Sequence, residues 1–501
     1  MTDPIKVYDA RWEVHEFNDD QVRRLFEATF AYGRLLGVDT VTLTRDARLG
    51  CARVLELGIE VALRMGLRVF ARLEPISTPQ GYFTTLHVSQ EYPNTMGLGV
   101  TASHNPMQYI GIKFTVPTVQ AIGQDCGPMG GLTKIREIYH SREKFPPVPG
   151  GSFHLLDLTR EYVDFSLAAV GIRPGDLAGL SVVLDTFHGS AGPELFMALT
   201  KAGCRIETLR LVPNGEFPTG SPNPTSQGKM NAAVELAGRA DCHAVIGIDG
   251  DGDRIVFGDR RGILTAGFAF VPILQTCLAA AKTAGGVASV PPVLYDPKVS
   301  PLALAEWGKL GTRPLLFRNG HSQIKDYMTR IGALAAAEES GHYYHRISMG
   351  KHTISGENSV MTVLLFLGAL KKDPGLMDRL WRMQDQVFTT GEFNYQFADD
   401  ATRDRALDAV VKRFVSEGAS TVTATPDGID LQGTCLSRGV RLEPGSVGLE
   451  AGWYSGYLRI ATNEKGVVRS YFSAGDVPSG RRVENEARRI LAEEFKGKVV
   501  D

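Results

Sequence analysis

Paired cysteines, long apolar runs and an excess of either charge are all missing from this chain of 501 residues. Its six cysteines (Cys51, Cys126, Cys204, Cys242, Cys277 and Cys435) are scattered with no CxxC pair, which argues against a zinc site and against a disulfide framework. The most apolar run, Val360 to Leu370, is too short to span a bilayer and predicts a buried helix. Formal net charge is -2, so no global field favours nucleic acid or an anionic membrane, and an anionic ligand must be caught by a local cluster. Met1 to Asp20 mixes charges without an apolar core, so no secretory signal is expected and a cytoplasmic protein is. No G-x-S-x-G elbow occurs, which removes the usual serine-hydrolase pattern.

What is present is a repeated alternation of helix-like and strand-like segments. At about 150 residues per domain, the length predicts roughly three or four domains. Ile5 to Tyr8 reads as a short strand, Asn18 as the cap of a helix through Leu36, and Val38 to Thr44 as a strand ending in Arg45-Asp46-Ala47-Arg48. A helix over Ala52 to Met65, a strand over Leu67 to Ala71 and a strand leading to Thr101 follow. A Gly- and Pro-rich stretch, including Phe145 to Gly151, marks a boundary near residue 153. The pattern restarts with strands at Leu180 to Asp185, Cys204 to Leu209 and His243 to Ile248, and again at Val293 to Asp296 and Leu315 to Phe317. After the helix Asn358 to Leu370, short strands grouped between helices predict an α+β domain, closed by a helix over Val483 to Phe495.

Two loops carry chemistry. Thr101-Ala102-Ser103-His104-Asn105-Pro106 closes a glycine-bearing run, and Asn105-Pro106 biases the backbone out of helix. The hexapeptide reads either as an ordinary turn or as a catalytic loop with an exposed serine nucleophile. Gly97-x-Gly99-x-x-Ala102 formally resembles a dinucleotide fingerprint, but the residues after it preclude the helix that fingerprint needs. Asp249-Gly250-Asp251-Gly252-Asp253-Arg254 follows an apolar strand, and three carboxylates at alternate positions can converge on one hard cation. An EF-hand is excluded because Ile255-Val256-Phe257 stands where further ligands are required, so Mg²⁺ is the expected ion. A serine that takes and gives a phosphoryl group needs such an ion, a proton acceptor and cationic clamps. Lys113, Arg11, Arg48, Arg254 and Arg459 all lie near predicted strand ends or turns.

With Thr101 to Pro106, Gly111-Ile112-Lys113 and Asp249 to Arg254, the chain resembles the phosphomannomutase/phosphoglucomutase family of α-D-phosphohexomutases. Tyr8 to Arg11, Thr44 to Arg48, Gly215 to Pro218 with Pro222 to Pro224, Gly320 to Lys325 and Glu338 to His342 also resemble that family's signatures, in its order. The resemblance implies three related α/β domains plus a C-terminal α+β lid domain around a central active-site cleft, with divisions at 1–153, 154–262, 263–376 and 377–501. It implies interconversion of hexose 6-phosphate and hexose 1-phosphate, mannose first and glucose next, through a phosphoserine and a hexose 1,6-bisphosphate. The rival readings are a phosphoglucosamine mutase and a non-catalytic sugar-phosphate binder. By position, Ser103, Lys113, Arg11, Arg254 and His104 would be catalytic, with Lys113 as general acid/base. Asp249, Asp251, Asp253 and phosphorylated Ser103 would hold Mg²⁺, and Lys298, His321, Glu338, Ser340, His342, Arg459, Thr462 and Asn463 would bind substrate. Nearby arginines and the metal would lower the pKa of Lys113. A small-molecule sugar phosphate is the expected partner, with no nucleic acid and no membrane, for a monomer or homodimer.

The family's phosphate loop usually reads Arg-x-Ser-Asn/Gly-Thr-Glu-Pro, whereas Arg459-Ile460-Ala461-Thr462-Asn463-Glu464-Lys465-Gly466 stands here. The arginine is retained and the serine is not. Thr462, Asn463 and backbone N–H groups could form an anion nest, with Lys465 or Arg469 adding charge.

Overall fold

The computed structural model describes residues 3–500 apart from 142, 284–289, 444–445 and 462–465. The described chain forms two compact units, one of residues 1–263, 320–335 and 340–374, the other of residues 264–319, 336–339 and 375–501. The segment predicted as a third domain, 263–376, therefore contributes to both.

In the first unit, strands Thr40–Arg45, Arg68–Ala71, Thr95–Val100 and Ser152–Leu155 pair in parallel, as the α/β alternation predicts. Strand Tyr109–Val116 turns back antiparallel on Thr95–Val100, and Ala10–Glu13 pairs antiparallel beyond it. The loop between Val100 and Tyr109 is thus a strand-end connection held at both sides by the sheet. The strand expected at Ile5 to Tyr8 is reduced to an isolated bridge between Ile5 and Ala10, and the strand proper begins at Ala10. Leu25, Phe26, Phe30, Val41, Val61 and Ile112 are among the side chains of this buried core.

Among the helices unread in the sequence is Thr78–Val88, capped by Ser77, whose side chain accepts from the Gln80 N–H, with Pro79 in its first turn. Ten of its eleven residues are buried, so there is no polar face to reveal a helical period. A second parallel set, Ser181–Asp185, Arg205–Leu209 and Ala244–Ile248, continues into antiparallel Ile255–Asp259. The tight connection between Ile248 and Ile255 is the aspartate loop. Tyr343–Met349 and His352–Glu357 form an antiparallel hairpin, and the apolar helix Ser359–Lys372 is buried as its composition predicts.

In the second unit, Pro292–Tyr295 and Arg313–Leu316 pair in parallel, and the long helix Ala266–Thr283, also unread in the sequence, lies upstream of them. The C-terminal part is α+β: an antiparallel sheet runs Ser420–Ala424, Asp430–Glu443, Ser446–Ile460, Val467–Ala474, Phe393–Gln396 and Lys498–Val500. Helices Asp400–Ser416 and Val477–Arg489 pack on it through Phe414, Val410 and Val483. Where the sequence predicts only short strands, one 14-residue strand, Asp430–Glu443, and one 15-residue strand, Ser446–Ile460, pair as a long hairpin.

Candidate active site

The serine loop is held from beneath by Arg48. This guanidinium is fully buried, and its Nε donates to Asp46 Oδ2 at 3.0 Å. Its Nη2 donates to the carbonyls of Ser103 at 2.5 Å and Asn105 at 2.6 Å, and its Nη1 to that of Pro106 at 2.7 Å. The Thr101 hydroxyl donates to Asp46 at 2.7 Å and accepts the Ser103 N–H at 2.8 Å. So Arg48 is committed to shaping the loop and is no substrate clamp. The cost of the shape is visible at Ser103, whose φ of 54° lies in the left-handed region that non-glycine residues rarely adopt.

Ser103 is 5% exposed, against the expectation of an exposed nucleophile. Its Oγ lies 3.3 Å from His104 Nδ1 and 3.4 Å from Asp249 Oδ2. Burial, then the charges of Arg254 and Arg11, keep His104 well below the usual histidine range and hence neutral at pH 7. Arg11 donates to Asn105 Oδ1 at 3.0 Å and to Asp9 at 2.5 Å, while its Nε is buried with no hydrogen-bond partner among the described residues. The Nε of Arg254 is likewise buried and unpartnered, 3.9 Å from Asp249. Two guanidinium N–H groups short of an acceptor, one on a side chain bonded to Asn105 and one 3.9 Å from the Asp249 carboxylate that faces Ser103, suit an added anionic group.

Asp249, Asp251 and Asp253 converge as the sequence predicts, one oxygen of each lying within 4.8 Å of the others. Gly250 permits this approach, since a Cβ there would sit 2.9 Å from the Ser103 carbonyl and 2.7 Å from Pro222. Gly252 has φ 78° and a Cβ there would meet Ala191 and Ser77. The Ser221 hydroxyl donates to the His104 carbonyl at 2.6 Å, tying the proline-rich loop to the serine loop.

Lys113 donates to Asp251 Oδ2 at 2.8 Å and to Asp253 Oδ2 at 2.5 Å. Burial works to lower its pKa, but Asp251 and Asp253 outweigh that and hold it well above the usual lysine range. This corrects the expectation of a lowered pKa: the neighbours that decide are carboxylates rather than arginines. Burial and then repulsion from Asp251 and Asp253 push Asp249 up, while for Asp253 the effect of burial is overcome by Lys113 and His342, which hold it down. Three buried carboxylates crowd together against Lys113 and, at 3.9 Å from Asp249, Arg254, and Asp251 Oδ1 is buried with no hydrogen-bond partner among the described residues. The donor set is all hard oxygen. The triad therefore fits a divalent cation such as Mg²⁺.

Of the predicted substrate residues, His342 lies 3.4 Å from Asp253 through Nε2, and its Nδ1 is 2.8 Å from Ser340 Oγ. His321 is half-buried and held neutral, by desolvation first and then by Lys325 and Lys113. The rest belong to the second unit. There Lys298 lies 3.3 Å from Glu392, which Arg469 also holds at 2.7 Å. Burial raises Glu392, but Lys298, Arg469 and Arg459 together keep it below the usual range. Arg459 and Arg469 face each other across the sheet register. Glu338 accepts from Asn319 Nδ2 at 3.3 Å, and the same nitrogen reaches Asp296 at 2.7 Å. Thr462 and Asn463 lie outside the described residues. Asp46, Thr101, Asp296, Asn319 and Glu392 escaped the sequence reading. Of these, Thr101 opens the serine-loop motif, Asp46 stands inside Thr44 to Arg48 and Asn319 adjoins Gly320 to Lys325, whereas Asp296 and Glu392 belong to no recognised motif.

Residues 4–127 match the family model described as phosphoglucomutase/phosphomannomutase, alpha/beta/alpha domain I, and residues 160–262 match that of alpha/beta/alpha domain II. These two segments of the chain are domains of the phosphoglucomutase/phosphomannomutase family. Relatives of the chain include the phosphomannomutase of Escherichia coli K12, 28% identical over 352 residues that span 68% of this chain and 72% of the relative. The phosphohexose mutases of Xanthomonas campestris pv. campestris strain B100 are 29% identical over 407 residues, 80% of this chain and 84% of the relative. A crystal structure of a phosphoglucomutase/phosphomannomutase family protein from Burkholderia thailandensis shares the fold at 23% identity, with a TM-score of 0.77 over 99% of this chain and 98% of that one. Among the described residues no helix is long and apolar enough to cross a membrane.

Proposed function

We propose that the protein is a phosphohexomutase that interconverts hexose 6- and 1-phosphates, mannose first and glucose next, through phosphorylated Ser103 and a hexose 1,6-bisphosphate. The observation that carries this is the position of Ser103 Oγ, buried at positive φ and 3.4 Å from an aspartate triad, with two guanidinium N–H groups lacking an acceptor on side chains that meet Asn105 and Asp249. A binding protein has no use for a strained, buried hydroxyl in that setting.

In the forward half-reaction a sugar hydroxyl oxygen forms a bond to phosphorus as the bond from phosphorus to Ser103 Oγ breaks. The hydroxyl loses a proton and Ser103 Oγ gains one. His104, neutral and 3.3 Å from Ser103 Oγ, is the group placed to hold or return the proton at that oxygen. Lys113 is assigned the exchange with the sugar hydroxyl, and it can accept a proton only after the carboxylate charge that keeps it an ammonium has been neutralised. Mg²⁺ held by Asp249, Asp251, Asp253 and the phosphoserine would supply charge neutralisation for the transferring group. Arg11 and Arg254 bind the phosphoryl oxygens. The second half-reaction reverses these roles once the bisphosphate has turned over.

For the distal phosphate we assign Lys298, Arg459 and Arg469, cations that gather around the carboxylate of Glu392, together with Thr462 and Asn463. Glu338 and Ser340 are assigned to read sugar hydroxyls, and His321 and His342 to help bind substrate. A coupled assay with mannose 1-phosphate, glucose 1-phosphate and glucosamine 1-phosphate, each with a trace of hexose 1,6-bisphosphate and Mg²⁺, tests the reading. The expected result is turnover with the highest kcat/KM on mannose 1-phosphate and none in Ser103→Ala. Binding of all three without turnover would contradict it.

A further inference from the structure

Ser77-Thr78-Pro79 begins a helix that has no part in the chemistry assigned so far, yet its first residue grips the aspartate triad twice. The Thr78 backbone N–H donates to the Asp251 carbonyl at 2.8 Å. Its hydroxyl donates to Asp251 Oδ2 at 2.7 Å. Thr78 is itself fixed, because Ser77 caps the helix, Pro79 sets the first turn, and the Ser77 hydroxyl donates to buried Glu194 at 2.5 Å. Thr78 is 8% exposed and Asp251 is wholly buried, so water does not compete for these bonds.

An aspartate carboxylate turns about a soft, roughly two-fold torsion, and one donor does not settle which oxygen faces a ligand. Lys113 is a poor guide alone, since it divides itself between Asp251 and Asp253. The Thr78 hydroxyl adds a second donor to Oδ2 from a rigid helix terminus and leaves Oδ1 buried without a partner. We infer that Thr78 is a positioning residue for the cation site, its hydroxyl locking Asp251 so that Oδ1 is the ligand oxygen. This rests on the reading of the triad as a divalent-cation site. Hydrogen-bonded partners behind metal ligands commonly contribute about 10- to 100-fold in affinity.

Mn²⁺ binding to the full-length protein, followed by electron paramagnetic resonance of the free ion without substrate, tests the inference. Thr78→Val keeps the shape and removes the hydroxyl, Thr78→Ser keeps the hydroxyl and removes the methyl, and Asp251→Asn tests the ligand. Thr78→Val is expected to raise the Mn²⁺ Kd about 10- to 100-fold, with Thr78→Ser restoring it toward the wild-type value. Should Thr78→Val not fold, as judged by circular dichroism, Thr78→Ala against Thr78→Ser gives the same comparison. Wild-type affinity in Thr78→Val alongside weakened binding in Asp251→Asn would overturn the role of Thr78 and leave the triad standing. Equal weakening in Thr78→Val and Thr78→Ser would do the same, since shape and not the hydroxyl would then matter. No binding by wild type, or none lost in Asp251→Asn, would overturn the triad reading and the inference together.

Discussion

Arg48 carries more of the serine loop than any other side chain. Its donors go to Asp46 and to the carbonyls of Ser103, Asn105 and Pro106, with Tyr109 at 3.3 Å, and its side chain is wholly buried. Replacing it strands a buried carboxylate and several carbonyls at once. Arg48→Ala is therefore expected to cost about 3–5 kcal/mol of unfolding free energy. Urea denaturation measures this, and a loss of less than 1 kcal/mol would contradict the bracing role. Residue identities around Ser103 were legible through the family resemblance, since the hexapeptide by itself reads equally as an ordinary turn. Protonation was not. The carboxylates that set Lys113 lie 138 and 140 residues away along the chain, and only the fold brings them to 2.8 and 2.5 Å.

Buried elements were legible where their composition is apolar throughout, as in Ser359–Lys372 and Ala244–Ile248, and illegible where small polar residues break the run. Helix Thr78–Val88 is buried nearly all round, and Thr84, Thr85 and Gly81 give it no apolar stripe. The hairpin of Asp430–Glu443 and Ser446–Ile460 fails the other way, its outer part being exposed on both faces so that strict alternation lapses. The buried strand Tyr343–Met349 and helix Ser359–Lys372 meet at His345, whose Nε2 lies 2.7 Å from Thr362 Oγ1. Burial lowers the His345 pKa to about 4 from 6.5. A base with a depressed folded pKa must give up stability when it charges, so its contribution is intact above pH 6.5 and lost as pH falls toward 4. Over that window the loss from His345 approaches about 3 kcal/mol. In His345→Gln the acid limb of stability against pH should flatten by this amount. An acid limb with the wild-type slope would show that His345 does not titrate as its burial requires.

At the scale of the whole molecule, the alternation of helix and strand was enough to read α/β architecture followed by α+β, and the motif order was enough to read the family. The partition was harder. Loops mark boundaries in sequence, but packing sends 320–335 and 340–374 to one unit and 336–339 to the other, a choice made by contacts far apart along the chain. The same holds for the charges assigned to the distal phosphate: Arg459 and Arg469 are ten residues apart and are paired by sheet register, and Glu392 joins them from another strand connection. What unites these observations is one claim, that Ser103 carries the phosphoryl group. Intact-mass measurement and peptide mapping after incubating phosphatase-treated protein with glucose 1,6-bisphosphate and Mg²⁺ test it most directly. The account predicts one phosphate, on the peptide containing Ser103 and absent from Ser103→Ala. A protein that gains no phosphate there, or gains it equally in Ser103→Ala, would contradict it.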